Sequence, residues 1–593
     1  MKKCILLLLL SFFLVEEQSS AQTVSTQRQF DDAMGRVRKG EPVSITIKPG
    51  TYVLSQPVVA NESLSIIGED AIITSYTDIY SKRDAVRETS DHYVCKLKTI
   101  IGEFGLMVNQ DGKIVNVSES VDESTLVNMT SSIDGDRKCY AGMSFRIPIP
   151  SGLSHLKNIS FKQAFGYFDC GWSCVNFKLS KADGKFLYCE TLNSTSAPRI
   201  DYEMSSYKKD IRFVIYNAEV KAGAVYYDDQ YIYIPKSVNC LKVKDCSVFD
   251  GSKPAITTNS DLTLSGVTFD GIEGIQVNSD EKEVCSISGC LFTHTLGNTM
   301  TLSKKNGNGF ISADVSDCRF EECSLLGDSM LVLSSPFSNT TCIYVRNCIF
   351  ARYPDSKVRY KNPSAMVTLK ADAEMSDCSC WNTCRCHIYL WKGYDRVLRT
   401  TIYNTKEFNM AKERNLSNDW GLIYVDHIYS DGQQAIANVK HRAVIDGCFL
   451  TGAYAYGGDA RGIMIDDGRG DVTCINNVVI DCQSYSIDSR EVKSFIGTSS
   501  IRNVLENNIL GCRYRLAGGA KVPEKDRPVS RGNVMLSEYD NVVNENTVDF
   551  SSGNVLPYYA VYDDGKIYVE RRKFRSLKKT GCYETIKDRI VIK

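Results

Sequence analysis

Through the second half of the chain, apolar residues recur in two short patterns that take turns along the sequence. The first is a polar or glycine residue, a small apolar one, any residue, and then a larger apolar one. Cys246, Val267, Cys290, Cys318, Cys348, Cys378, Cys448, Val478 and Ile509 fill its small position. Asp245, Gly266, Gly289, Asp317, Asn347, Asp377, Gly447, Asn477 and Asn508 stand just before it. Val248, Phe269, Phe292, Phe320, Phe350, Cys380, Leu450 and Ile480 stand two places after. The second pattern is apolar, any, apolar, polar. It occurs at 256–259, 275–278, 300–303, 331–334, 367–370, 388–391, 423–426, 463–466 and 485–488.

Asn, Asp and Gly tolerate the left-handed backbone conformation that a tight bend between strands needs. Alternate residues of the strand that follows then point inward. Two strand types recurring together at intervals of about 20–40 residues describe a solenoid, in which each unit buries its apolar face only against its neighbours. The expected fold is all-β: a right-handed, single-stranded parallel β-helix. Cys and Val exchange at the small position because both are compact and apolar, so the cysteines there read as stacked core. Cys378, Cys380, Cys384 and Cys386 have a zinc-like look, but C-x-C…C-x-C spacing specifies zinc weakly.

The rest of the chain follows other patterns. Residues 26–37 predict a short helix capping the open end, within an N-terminal stretch, 22–80, that also holds the first coils. From 81 to 235 the coil signature lapses, and strand-like runs with hairpin turns, such as 106–117, predict an inserted β-sandwich-like subdomain. The β-helix is expected over 236–540 and a C-terminal cap over 541–593. Residues 1–21 have a basic start (Lys2, Lys3), an apolar run too short to span a bilayer and the small-residue ending Ser19-Ser20-Ala21. They predict a signal peptide and a secreted or periplasmic bacterial protein.

Composition narrows the function. The net charge is -1 with no long basic run, so a polyanion such as nucleic acid, held by general electrostatics, is not an expected partner. No second apolar stretch of spanning length follows the leader, and a monomer is expected.

The polar end of the second strand type faces outward, so one column on the wall reads Asn259, Asn278, Ser303, Ser334, Lys370, Trp391, Asp426, Asp466, Asp488. Neighbouring coils lie about 4.8 Å apart. With no coil intervening between Asp426 and Asp466, three carboxylates fall together. Like charges at that spacing favour one protonated acid beside one ionised base, the pair that glycoside hydrolysis needs. Each Asp read alone is a solvated strand end; three in one column make a candidate site. Asp467, which opens the turn after Asp466, joins Asp466, Asp488 and Asp426 as a catalytic candidate. Asp459 and Arg461, on the entry to the same strand, Arg490, Lys370, Trp391 and Tyr456 are the candidate substrate contacts. Aromatic faces suit the C–H faces of sugars, and cations suit substrate carboxylates. Tyr454 and Trp420 offer further stacking surfaces, and His427 reads as structural.

The first coils, GTYVL (50–54) and LSIIGEDAIITS (64–75), with LMVNQDGKIVNVSES (106–120) and RFVIYNAEVKAGAVYYDDQYIYIP (212–235), resemble a known architecture. It is that of the parallel β-helix glycoside hydrolases of the pectate-lyase-like superfamily that carry an inserted β-sandwich. RGIMIDDGRGDVTCINNVVIDC (461–482) is similar to their active-site coil, which implies acidic cleft residues at Asp466 and Asp467. Where that family reads Pro-Gly-Glu-Trp before the return to the helix, this chain has Lys221-Ala222-Gly223-Ala224-Val225, so no substrate carries over.

Three functions compete. The first is a glycoside hydrolase without a cofactor, acting on a polysaccharide or oligosaccharide. The second is a polysaccharide lyase, with Lys370, Arg461 or Arg490 as base or uronate partner and Ca²⁺ held by the acidic column. The third is a non-catalytic glycan-binding protein. The sugar, the linkage and the stereochemical course are not encoded in these patterns.

Overall fold

The computed structural model describes residues 21–98, 230–244, 253–279, 284–304, 312–325, 329–334, 343–353, 365–383, 386–391, 395–405, 420–426, 443–453, 460–466, 471–482, 485–489 and 502–511, with shorter stretches elsewhere. Residues 1–20 of the expected leader lie outside them, and no described helix is long and apolar enough to cross a membrane.

Each coil contributes three strands. In one, Ser312–Ser316 lies on a first wall, Arg319–Glu321 on a second and Leu331–Ser334 on a third; the chain then regains the first wall at Ile343–Arg346. Successive coils pair in parallel on every wall. The first two walls share a 23-stranded sheet and the third is an 11-stranded sheet of its own. The fold is a parallel β-helix. Inward residues of all three walls merge into one apolar core that runs from Val24 to Leu510. Within it Phe269, Phe292, Phe320 and Phe350 stack rung on rung, with ring centroids 5.1, 4.8 and 4.8 Å apart, close to the strand spacing itself.

The open end is closed by the α-helix Gln27–Arg38. The Thr26 hydroxyl caps it by accepting the Gln29 amide at 3.3 Å. Its apolar face (Phe30, Ala33, Met34 and Val37) enters the common core. The chain leaves the β-helix after Thr74 on the second wall and regains it on the third at Ile256–Thr258, which pairs with Val58–Ala60. Between these points lie antiparallel strands, including a six-stranded sheet. A separate small core of Tyr80, Cys95, Ile232, Ile234, Leu241 and Val243 belongs to this region. A buried Lys244–Glu273 ion pair joins its last strand to the β-helix. Of 541–593, the strands Ile567–Val569 and Ile590–Ile592, paired in parallel, are described.

The bend between first and second walls repeats a left-handed residue: Gly266, Gly289, Asp317, Asn347, Asp377, Arg399, Gly447, Asn476 and Asn507 all have positive φ. Gly266 has φ +67°, and a Cβ there would strike the Gly68 carbonyl of the preceding coil, so no other residue type fits. Two positions depart from the expected repeat. Cys448 is followed on the next rung by Asn477, not Val478, because Phe449 pairs with Val478. Asn508, not Ile509, comes after that. A coil through Arg396–Leu398 and Thr401–Tyr403, missing from the sequence pattern, puts Thr400 in the same slot. By the same shift, Val479 replaces Ile480 in the column that follows Leu450.

The slot therefore does more than fill space. The single S–H of each of Cys318, Cys348, Cys378 and Cys448 lies between two carbonyls, one of the preceding coil at 3.4–3.7 Å and one two residues back in its own coil at 3.2–3.6 Å. Asn477 and Asn508 make the same bond better, at 2.9 Å to the Ile445 and Cys474 carbonyls. Their Oδ1 atoms also accept the backbone amides of Cys448 and Asn477, again at 2.9 Å. The described cysteines are free and nearly all buried. No group of metal-ligating side chains forms among the described residues; Cys378, Cys380 and Cys386 are core, and Cys384 lies outside the described set.

Asn477→Ala leaves the buried Cys448 amide without its partner, at about 1–3 kcal/mol, and removes a second donor from the Ile445 carbonyl, which stays in the strand ladder. Cys318→Val keeps the volume and loses a weak donor, at under about 1.5 kcal/mol. Urea unfolding midpoints should fall steeply for the first and little for the second. Burial pushes the thiols of Cys323 and Cys448 up to about 12. Iodoacetamide at about pH 8 should therefore spare both in the folded protein and label both in urea, read by peptide mass mapping.

Candidate active site

The third wall carries two outward rows. Inward residues such as Ile388, Leu390, Ile423, Val425, Ile463 and Ile465 are wholly buried in the core, which fixes their alternate neighbours on the outer face. One row runs Ser303, Ser334, Lys370, Trp391, Asp426 and Asp466. Ser303 pairs with Ser334, Ser334 with Lys370 and Trp391 with Asp426. Val425 pairs with Ile465, and the Asp466 amide donates to the Val425 carbonyl at 2.9 Å. Asp426 and Asp466 thus occupy successive rungs with no coil between them.

The second row, two residues upstream, runs Thr368, Tyr389, Tyr424, Met464 and Asp488. Its tyrosines act on the first row diagonally. Tyr389 Oη donates to Asp426 Oδ2 at 2.6 Å, and Tyr424 Oη donates to Asp466 Oδ2 at 2.6 Å. The two rings stack, with centroids 5.5 Å apart and planes 17° from parallel. Each carboxylate is held by the phenol of the preceding rung, and the stack fixes both phenols together. Burial, then the Asp466 and Asp426 charges, push the Tyr424 phenol far up, so it remains a donor at any ordinary pH. Asp426 is 9 % exposed and Asp466 is half-buried. Lys370 Nζ sits over the Trp391 ring at 4.2 Å from its centroid, a cation–π contact.

The expected residues divide as follows. Lys370, Trp391, Asp426 and Asp466 share one row. Asp488 does not join it: Ile487 pairs with Ile463, which sets Asp488 opposite Met464 in the other row. Matching the 485–488 strand by its pattern put it two residues out of register. Arg461 lies on the strand Ala460–Ile465 itself and not on its entry loop, and is 1 % exposed. Its Nη1 lies 3.6 Å from Met464 Sδ. Asp459, Asp467, Arg490, Tyr456, Tyr454 and His427 lie outside the described residues, as does the Trp420 side chain. Tyr389 and Tyr424 were not among the expected residues. The signal for them is tyrosine at the second, outward place of two successive strands, 388–391 and 423–426, each two residues before the polar end.

No family model matches the chain, and no curated protein does. Among solved structures, a glycoside hydrolase is 10 % identical over 86 % of this chain and 90 % of its own, with a TM-score of 0.39. XylC in complex with xylose is 10 % identical over 90 % and 85 %, with a TM-score of 0.37. The catalytic domain of a GH87 α-1,3-glucanase in complex with nigerose is 10 % identical over 79 % and 97 %, with a TM-score of 0.24. At TM-scores below 0.5 these likenesses bear on neither activity nor substrate.

Tyr424→Phe keeps the ring stack and removes only the bond to Asp466. Stability should fall by about 1.5 kcal/mol, the low end for a hydrogen bond to a charged group, because Asp466 is partly solvated. The loss should vanish when Tyr424→Phe is made in an Asp466→Ala background, which has no acceptor there, as a double-mutant cycle in urea would show.

Proposed function

We propose that the chain is a glycoside hydrolase whose two working carboxylates are Asp426 and Asp466. The observation that carries this is their place on successive rungs of one outer face, each oriented by a tyrosine. Rungs are about 4.8 Å apart. That spacing suits the roughly 5–5.5 Å between carboxyl groups in retaining enzymes and falls short of the roughly 6.5–9.5 Å of inverting ones. In such a reaction one carboxylic acid gives its proton to the glycosidic oxygen while the other carboxylate attacks the anomeric carbon. The C–O bond to the leaving sugar breaks, and that sugar departs with the proton. Water, deprotonated by the first group, then displaces the second and restores both. Trp391, next in the row, offers an apolar face for a sugar ring.

Turnover should be sought on a panel of plant and host polysaccharides, as release of reducing ends. On the substrate so found, Asp426→Asn and Asp466→Asn should each lower turnover by about 10²–10⁴-fold with unchanged unfolding midpoints. Proton NMR of the first product should show the anomeric configuration retained. Full activity in either variant, or unsaturated products absorbing in the ultraviolet, overturns the reading.

A further inference from the structure

Charge on the first wall is neutralised within the protein. Arg396 pairs with Glu374 at 2.7 Å, Arg531 with Glu506 at 2.9 Å and Arg399 with Asp377 at 2.6 Å, while Arg346 pairs with Asp314. Lys370 on the third wall is different. Among the described residues no carboxylate lies within ion-pair distance of it, and what its ammonium meets is the Trp391 ring, 4.2 Å away. Burial pulls its pKa down, which marks a cation held partly out of water with no counter-charge beside it among the described residues. The indole holds the ammonium by its face, which takes up none of the three N–H donors in a conventional hydrogen bond. Two rungs separate Lys370 from Asp426 along the same row, about 10 Å.

We propose that Lys370, seated on Trp391, recognises an anionic substituent of the glycan, a carboxylate or a sulfate ester, so that the third wall takes an acidic polysaccharide. The claim rests on the hydrolase reading for its substrate class, but the contact itself is a binding event. A partly desolvated ammonium gains more from an anion than an exposed one does. A neutral sugar at that place leaves the charge without a partner, so discrimination comes from both sides.

The test is binding by calorimetry to the full chain. The probes are uronate-bearing oligosaccharides with their carboxyl-reduced counterparts, and sulfated oligosaccharides with their desulfated counterparts. The wild type should bind one acidic member at least about tenfold more tightly than its neutral partner, a difference of about 1.4 kcal/mol. The preference should shrink as salt rises. Whichever pair shows it identifies the anion. Lys370→Met should abolish the preference, by loss of affinity for the acidic member and relief of the penalty on the neutral one; Lys370→Arg should retain it. Equal affinity for both members of every pair, or a preference that persists in Lys370→Met, overturns the proposal. Selective binding without reducing-end release would sink the hydrolase reading and leave this one standing. Release from neutral glycans without selectivity would do the reverse.

Discussion

The bend between the first and second walls sets the register of everything else. A left-handed residue turns the chain, and at several rungs the residue after it reaches back to the preceding coil, most firmly through the amides of Asn477 and Asn508. A parallel strand slipped by one residue would turn its inward face outward, and apolar packing alone penalises a two-residue slip much less. The slot bonds distinguish the two. Asn477 and Asn508 each join a carbonyl and an amide of the preceding coil at 2.9 Å, and only one register satisfies both bonds. The thiols of Cys318, Cys348, Cys378 and Cys448 make a weaker version of the same contact. Cysteine and asparagine are therefore equivalents here, although one is usually counted as apolar and the other as polar.

Register is what gives the third wall its chemistry. A carboxylate at the end of one strand is an ordinary solvated group. Asp426 and Asp466 become a pair because two strands separated by a long connection are nearest neighbours in the sheet. The Tyr389–Tyr424 stack depends on the same alignment, since each phenol must reach the carboxylate one rung on and two residues later. A shift of two residues in either strand would leave both acids on the outer face and end both the pairing and the tyrosine contacts. The site is an outcome of alignment, not of any local motif.

This explains what the sequence makes legible. Alternation and bend residues identify strands and their inward faces well, because both are properties of a few consecutive residues. The capping helix and two of the three strands of each coil follow from such signals, whereas the Asp426–Asp466 neighbourhood needs the further condition that no coil intervenes. Register between coils is encoded in contacts some 30 residues apart, and the pattern misplaces it where the slot residue changes type. Asn477 and Asn508 read as bend residues because asparagine so often fills that role, yet the bends are made by Asn476 and Asn507. Tyr485 to Asp488 match the apolar-x-apolar-polar template, yet Tyr485 pairs with Arg461. Arg461 is misplaced too: the pattern puts it on the entry loop, and only the packed structure shows it on the strand and buried against Met464.

The walls also divide the work of carrying charge. On the first wall, acids and bases face each other across neighbouring strands, as Glu374 and Arg396 do in direct register. Exposed pairs of this kind contribute little to stability, but they leave the wall with little net field and its strand edges unattractive to other chains. The third wall follows another rule. Its row passes from neutral Ser303 and Ser334 through a single cation on an indole to two adjacent carboxylates, so the sign of charge changes along the axis over about four rungs. Such a gradient is of no use to folding, since it gathers like charges where alternation would separate them. It gives direction to whatever lies along the wall, because an asymmetric chain with an anionic group meets Lys370 in one orientation and Asp426 in the other. On the proposed reading, a polymer bound there would be oriented before any bond in it is strained.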